Sequence, residues 1–277
     1  MNNKVVLLTG GFGGIGKASA KLLGQNGYKV YLTSRDIGSK KVQNTLEEFL
    51  NKKIEVFPIK LDLSNSDSIK KAVNEIIEKE GKIDILINNA ATGYFSSVED
   101  IDSEKLRKSF EVNVIGTIEL IKNVIPIMRK QGSGRIINIS SILGFSTVPL
   151  NAPYSMTKYA TESFSETLAT ELAPFGVDVV ILQPGDFHSD FIKNAIHAKY
   201  DDTSPYFKLY KRKDDKIAAG TGGRDPEFFA EKLFKIIETE KPKLRYTIGK
   251  EVLIKKVLHK LLIDKLWIKF LRFFYNW

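Results

Sequence analysis

A short apolar run, Val5-Val6-Leu7-Leu8, ends in Thr9-Gly10-Gly11-Phe12-Gly13-Gly14-Ile15-Gly16, and a helical pattern with Ala18, Ala20, Leu22 and Leu23 follows. No other stretch restricts the fold so tightly. Glycine is costly inside a helix or a strand, because its backbone loses the most freedom on folding. Between a strand and a helix it has a use. The backbone can approach an anion closely there, and the start of the helix offers N–H groups and the positive end of its dipole.

Three registers compete in this turn. Gly11-x-Gly13-x-x-Gly16 is the general dinucleotide fingerprint. Gly11-x-x-x-x-Gly16-Lys17 nearly makes a nucleoside-triphosphate loop, but Ala18 stands where a hydroxyl must hold Mg²⁺. Thr9-Gly10-x-x-x-Gly14-x-Gly16 is the third. A purely structural tight turn is the bland alternative.

The rest of the chain repeats strand then helix. Strand-like runs fall at Lys29 to Thr33, Glu55 to Leu61, Asp84 to Asn88, Arg135 to Ser140, Asp178 to Gln183 and Arg245 to Gly249. Apolar stripes at helical spacing separate them, such as Val42, Leu46, Phe49 and Leu50. Ser64 reads as the cap of the helix carrying Ile69, Val73, Ile76 and Ile77. The alternation implies an α/β fold, a single doubly wound parallel sheet of seven strands with helices on both faces. Ligands of such sheets bind at the carboxyl ends of the strands.

Tyr154 and Lys158 are one helical turn apart, on a helix running from Pro153 to about Pro174. A free phenol holds its proton with a pKa of about 10. A neighbouring ammonium favours the phenolate, so the pair is expected to exchange protons near neutral pH. Without context such a pair is an ordinary solvated helix face.

The third glycine register, read with Tyr154-x-x-x-Lys158, resembles the short-chain dehydrogenase/reductase family over about the first two-thirds of the chain. The resemblance implies a single Rossmann-type catalytic domain over 1–250. It implies a cofactor site formed by Thr9, Gly10, Gly14, Ile15 and Gly16, by Ser34 and Arg35, and by Asp62 and Leu63. Asn89 and Ala90, Tyr154 and Lys158, and Pro184, Gly185, Phe187 and Ser189 complete it. Ala91 replaces the family's usual glycine, and Ser189 its usual threonine. The implied catalytic set is Asn113, Ser141, Tyr154 and Lys158, with Asn113 in a helix irregularity that holds a water against the lysine. Ser141, Tyr154 and His188 are the expected substrate contacts, although a hydrogen-bonded surface histidine is the simpler reading of His188.

At the tip of the second strand the family's acid position falls on Ser34, and Arg35 follows. An acid there suits the free 2′-hydroxyl of NAD, and a base the 2′-phosphate of NADP. NADP(H) is therefore favoured, and Asp36 keeps NAD(H) open. Lys17 reads as a solvated helix residue. The implied reaction is hydride transfer between a nicotinamide and a carbonyl or alcohol. A non-catalytic NADP-binding regulator and a nucleotide-sugar epimerase or dehydratase are the rivals. Regulators tend to lose the tyrosine or lysine, and epimerases tend to have another glycine spacing. Family members are often dimers or tetramers, so a homodimer or homotetramer is carried over.

Residues 190–224 break the strand–helix rhythm with Phe191, Tyr200, Tyr206, Phe207, Tyr210, Lys211-Arg212-Lys213 and Gly220 to Gly223. The family places its substrate lid there. The tail 251–277 interleaves Leu253, Leu258, Leu266, Phe270 and Phe273 with Lys255, Lys260, Lys265, Lys269 and Arg272, and reads as one basic amphipathic helix. It carries much of the +9 net charge. Such a helix suits a membrane surface, and equally suits a cover over the substrate pocket. It is similar to the tails of hydroxysteroid and retinol dehydrogenases, which points to a lipophilic substrate.

No cysteine is present, and His188, His197 and His259 lack zinc-site spacing, so no metal is expected. No nucleic-acid motif appears, so no nucleic-acid partner is expected. Met1 to Lys4 lead straight into a strand with no signal peptide, and no apolar run spans a bilayer. The expected location is cytoplasmic, with peripheral membrane contact through the tail left open.

Overall fold

The computed structural model describes residues 3–219 and 223–277. Of the proposed lid, Gly220, Thr221 and Gly222 lie outside the described residues, as do Met1 and Asn2 of the N-terminal reading.

The chain opens with β1 (Val5–Leu8), α1 (Gly14–Gln25), β2 (Lys29–Ser34), α2 (Lys40–Asn51), β3 (Val56–Lys60), α3 (Ser66–Glu80) and β4 (Ile85–Asn88). A two-residue strand β5 (Tyr94–Phe95) precedes α4 (Ser103–Phe110), a π-helical turn at Glu111–Ile115, and α5 (Gly116–Gln131). Then come β6 (Gly134–Ile139), α6 (Ala152–Leu172), β7 (Val177–Pro184), β8 (Ile196–His197), α7 (Phe207–Ala218), α8 (Pro226–Ile237) and β9 (Arg245–Ile248). The chain closes with α9 (Lys250–Leu261) and α10 (Asp264–Tyr275).

Seven strands form one sheet in the order β3-β2-β1-β4-β6-β7-β9, and every pairing is parallel. This is the expected sheet. Its layers follow from side-chain alternation along a strand. Val6 and Leu8 of β1 pack with Ala20, Leu23, Phe49, Phe229 and Leu233 on one face. Val5 and Leu7 pack with Ile69, Val73, Leu120 and Val124 on the other. The winding reverses between β1 and β4, so a crevice opens at their carboxyl ends.

Three local features depart from the sequence reading. Asn65, not Ser64, caps α3 by accepting from Ser68 N; Ser64 instead donates to Asp62. The segment 190–224 is partly ordered secondary structure: β8 pairs parallel with β5, matching Tyr94 to Ile196 and Phe95 to His197, and α7 follows. The tail is helical and amphipathic as expected, but an extended turn at Leu262 and Ile263 divides it in two. Among the described residues no helix is long and apolar enough to cross a membrane.

Candidate active site

A cavity of about 830 Å³ occupies the crevice. Its floor is the glycine turn. Gly10 has φ +66°, and a Cβ there would lie 3.0 Å from Ala90 Cα. Gly13 starts α1 with no side-chain cap, so the first amides of the helix face the cavity where Gly14 and Ile15 line it. An anion fits this cradle.

Thr9 and Gly16, expected at the cofactor, are not on the wall. Thr9 is buried, and its Oγ1 accepts from Asn89 N and Ala90 N, both at 2.9 Å. It thereby ties β1 to the end of β4. A Cβ on Gly16 would lie 2.3 Å from Gly10 O, so this glycine is there for close packing within the turn. Asn89 lines the cavity while its Nδ2 donates to Thr9 O and Gly10 O.

At one end of the cavity stand Ser34, Arg35, Asp62 and Leu63. Ser39 and Lys41, overlooked in the sequence, join them. Lys41 arches over Gly13, whose added Cβ would meet its Nζ at 3.1 Å. Asp36 is not on this wall, and its carboxylate accepts from Gly38 N. Lys17 pairs with Glu48, as a solvated helix residue would.

Ser141, Tyr154 and Lys158 share the middle of the wall. Ser141 follows β6, and its Oγ accepts from Leu143 N at 3.1 Å. Lys158 is buried, donates to Ile139 O at 2.6 Å, and its Nζ lies 5.6 Å from the centre of the Tyr154 ring. Burial pulls the Lys158 ammonium down to about 8, opposed by the charge of Glu162. Burial pushes the Tyr154 phenol up, and the charge of Asp186 adds to this. The phenol is thus raised, where the sequence reading expected it to be lowered. At that separation the cation does not offset enclosure by Phe95 and Phe191, whose ring centres lie 6.2 and 5.3 Å from that of Tyr154.

Asn113 does sit in a helix irregularity, the π turn, but its side chain is not on the cavity wall. Its Oδ1 accepts from Thr92 N, and its Nδ2 donates to Thr92 O and to Thr157 Oγ1. The amide is consumed in holding the segment after β4. Pro184, Gly185, Phe187 and Ser189 line the cavity as expected. His188 does not; its backbone N donates to Arg224 O.

The remaining wall comes from α7, α9 and α10: Leu209, Arg212, Lys213, Lys216, Lys255 and Tyr275. The tail thus contributes Lys255 and Tyr275 to the pocket wall. Sequence reading placed the lid over this stretch but not a helix within it, although the spacing 209, 212, 213, 216, 217 is a helical face. Among the described residues no group of His, Asp or Glu could hold a metal ion.

This architecture, with its glycine-floored crevice, defines a Rossmann-type nucleotide-binding fold. The short-chain dehydrogenase family model matches residues 4–199. A 3-ketodihydrosphingosine reductase of Bacteroides thetaiotaomicron is 38% identical over 194 residues, 70% of this chain and 68% of that protein. The oxidoreductase YusZ of Bacillus subtilis is 33% identical over 258 residues, covering 91% of each. A short-chain dehydrogenase structure from Streptomyces avermitilis superposes with a TM-score of 0.83 at 29% identity, over 97% of this chain and 95% of that one. The chain belongs to the short-chain dehydrogenase/reductase family. It is accordingly a pyridine-nucleotide-dependent oxidoreductase acting on small molecules through the CH–OH/C=O couple.

Proposed function

We propose that the protein transfers a hydride between NADP(H) and the carbonyl or alcohol of a substrate with a lipophilic body. The observation that carries this reading is the shared wall: Ser141, Tyr154 and Lys158 face the cavity that the glycine turn floors. The residues fit the nucleotide. The uncapped head of α1 suits a pyrophosphate. Arg35 and Lys41 beside Ser34 suit a 2′-phosphate, and Asp36 is turned to Gly38. Asp62, Asn89, Pro184, Gly185, Phe187 and Ser189 would hold the adenine, the strand crossing and the carboxamide.

A bound nicotinamide supplies or accepts the hydride. In reduction the Tyr154 hydroxyl gives its proton to the substrate oxygen as that oxygen gains charge, and in oxidation it takes the proton back. Ser141 donates to the same oxygen and holds it in place. Lys158, anchored by Ile139 O, would hold the nicotinamide ribose with its remaining ammonium hydrogens, and its charge favours the phenolate once Tyr154 has given up its proton. Asn113 acts as a positioning residue, keeping Thr92 and the helix that bears Tyr154 in register through Thr157. A non-catalytic role is disfavoured because tyrosine, lysine and serine all stand together.

The segment 190–224 serves as the substrate lid. The tail adds a membrane-surface contact: Leu253, Ile254, Leu261, Ile263, Leu266 and Phe273 are exposed among Lys260, Lys265 and Lys269. Self-association, common in the family, is part of the reading.

Tyr154→Phe, assayed with NADPH and with NADH against a panel of ketones, tests the mechanism. The expected loss in kcat is roughly a hundred- to ten-thousandfold, with nucleotide binding retained. Near-normal turnover by the variant would remove Tyr154 as the proton donor, and a preference for NADH would remove the cofactor assignment.

A further inference from the structure

The face that α7 turns to the cavity is Leu209, Arg212, Lys213, Lys216 and Ile217. On an amphipathic helix that stripe normally carries apolar side chains. Here its middle is cationic, and α9 adds Lys255 across the same space. These cations belong to the tyrosine side of the cavity. Lys213 Nζ lies 4.0 Å from the centre of the Phe95 ring, which itself neighbours Tyr154. Arg212 and Lys216 each stand 5.9 Å from the Tyr275 ring centre.

Structural bonds do not exhaust Lys213 and Arg212. Lys213 meets His197 Nδ1 at 3.0 Å, and Arg212 donates to Phe274 O at 3.1 Å. An ammonium has three donors and a guanidinium five. Acids are few here. Asp186 is the one on the wall whose charge acts on Lys255 and Lys216, leaving the cations in excess, and Asp190 pairs with Lys41 toward the nucleotide end. Asp214, adjacent to Lys213, accepts from the Tyr200 hydroxyl, and its charge partly offsets the burial of Lys213. Burial draws both Lys213 and Lys255 down to about 8, a cost that an incoming anion offsets.

We propose that the substrate carries an anionic oxygen group, a carboxylate or a phosphate, which Lys213, Arg212, Lys216 and Lys255 receive while its carbons lie against Phe95, Leu150 and Leu209. This rests on the oxidoreductase reading above and narrows its substrate to an amphipathic oxo or hydroxy compound with a charged end. The positions of Phe95 and Lys213 set that end a short chain away from the reacting carbon.

The test is a kcat/KM comparison on the full-length protein with its preferred nicotinamide cofactor. Methyl-ketone carboxylates of rising chain length are set against their methyl esters, with a phosphate-bearing methyl ketone as a third arm. One charged member is expected to exceed its neutral partner by about tenfold, the scale of one charge-assisted hydrogen bond. The identity of that member tells carboxylate from phosphate. The preference is expected to shrink with added salt. Lys213→Met is expected to collapse the charged-to-neutral ratio, mainly by raising KM for the charged substrate. Lys255→Met, on a different helix, supplies the same readout if the first variant does not fold. Turnover with no preference for charge, or with a ratio untouched by both variants, overturns the anionic end and leaves hydride transfer standing. Absence of turnover on every arm with either nucleotide overturns both.

Discussion

Lys158 is held between opposing influences. Its enclosure favours the neutral amine, and Glu162, one turn further along α6, favours the ammonium. Glu162 is itself kept in place by Gln183, which donates to one carboxylate oxygen at 3.0 Å, and by Arg245, which donates to the other at 2.9 Å. If the reaction needs the charged lysine, kcat/KM for reduction declines as pH rises through about 8 in the free enzyme. Removing the carboxylate charge with Glu162→Gln lets burial lower the lysine further, so the declining limb is expected at lower pH. A pH–rate profile checks this. A limb that stays put, with activity merely scaled down, assigns Glu162 a structural role alone. At this scale the meeting of the glycine turn, Ser141, Tyr154 and Lys158 on one cavity wall was legible, because their spacing is local and the residue types are uncommon together. The parts of Thr9, Gly16 and Asn113 were not. Each acts on backbone groups brought close by the fold, and no spacing in the sequence records that approach.

The π turn between α4 and α5 illustrates how an element is positioned. A Cβ on Gly116 would lie 1.9 Å from Leu63 O, so α5 reaches the loop after β3 only through a residue without a side chain. Gly116→Ala is expected to destabilise the fold by about 1–3 kcal/mol, the usual cost of overpacking. Because Leu63 lines the cavity, nucleotide affinity is expected to weaken with it. Thermal unfolding and nucleotide titration measure the two effects, and an unchanged melting temperature would show that the loop moves aside freely. The seven main strands were readable from apolar runs bounded by turn residues. The β5–β8 ladder was not, because two residues of alternation carry no periodic signal. Nor was the break between α9 and α10, where Leu262 and Ile263 turn the chain without a glycine or proline to mark the place.

For the molecule as a whole, exposed apolar surface is concentrated on the last two helices, where Leu261, Ile263 and Phe273 are each more than half exposed. Their inner side is well fixed, with Val252 fully buried and Trp267 packed edge-on to His259 at 4.9 Å. Lysines flanking such a face gain about 1 kcal/mol each near an anionic bilayer. The protein is expected to co-sediment with vesicles containing phosphatidylserine and to be released by salt. Paired Phe273→Ser and Ile263→Ser replacements are expected to weaken this severalfold. Equal recovery in the supernatant with anionic, neutral and no vesicles would dismiss the contact.

On α9, Leu253 and Ile254 look outward while Lys255, the next residue, looks into the reaction chamber. Tyr275, near the end of α10, closes that chamber from the same side. Neighbouring residues of one short peptide therefore answer to different selective demands, one from the surroundings and one from the reactant. A replacement on either side of this short helix is therefore expected to be felt on the other.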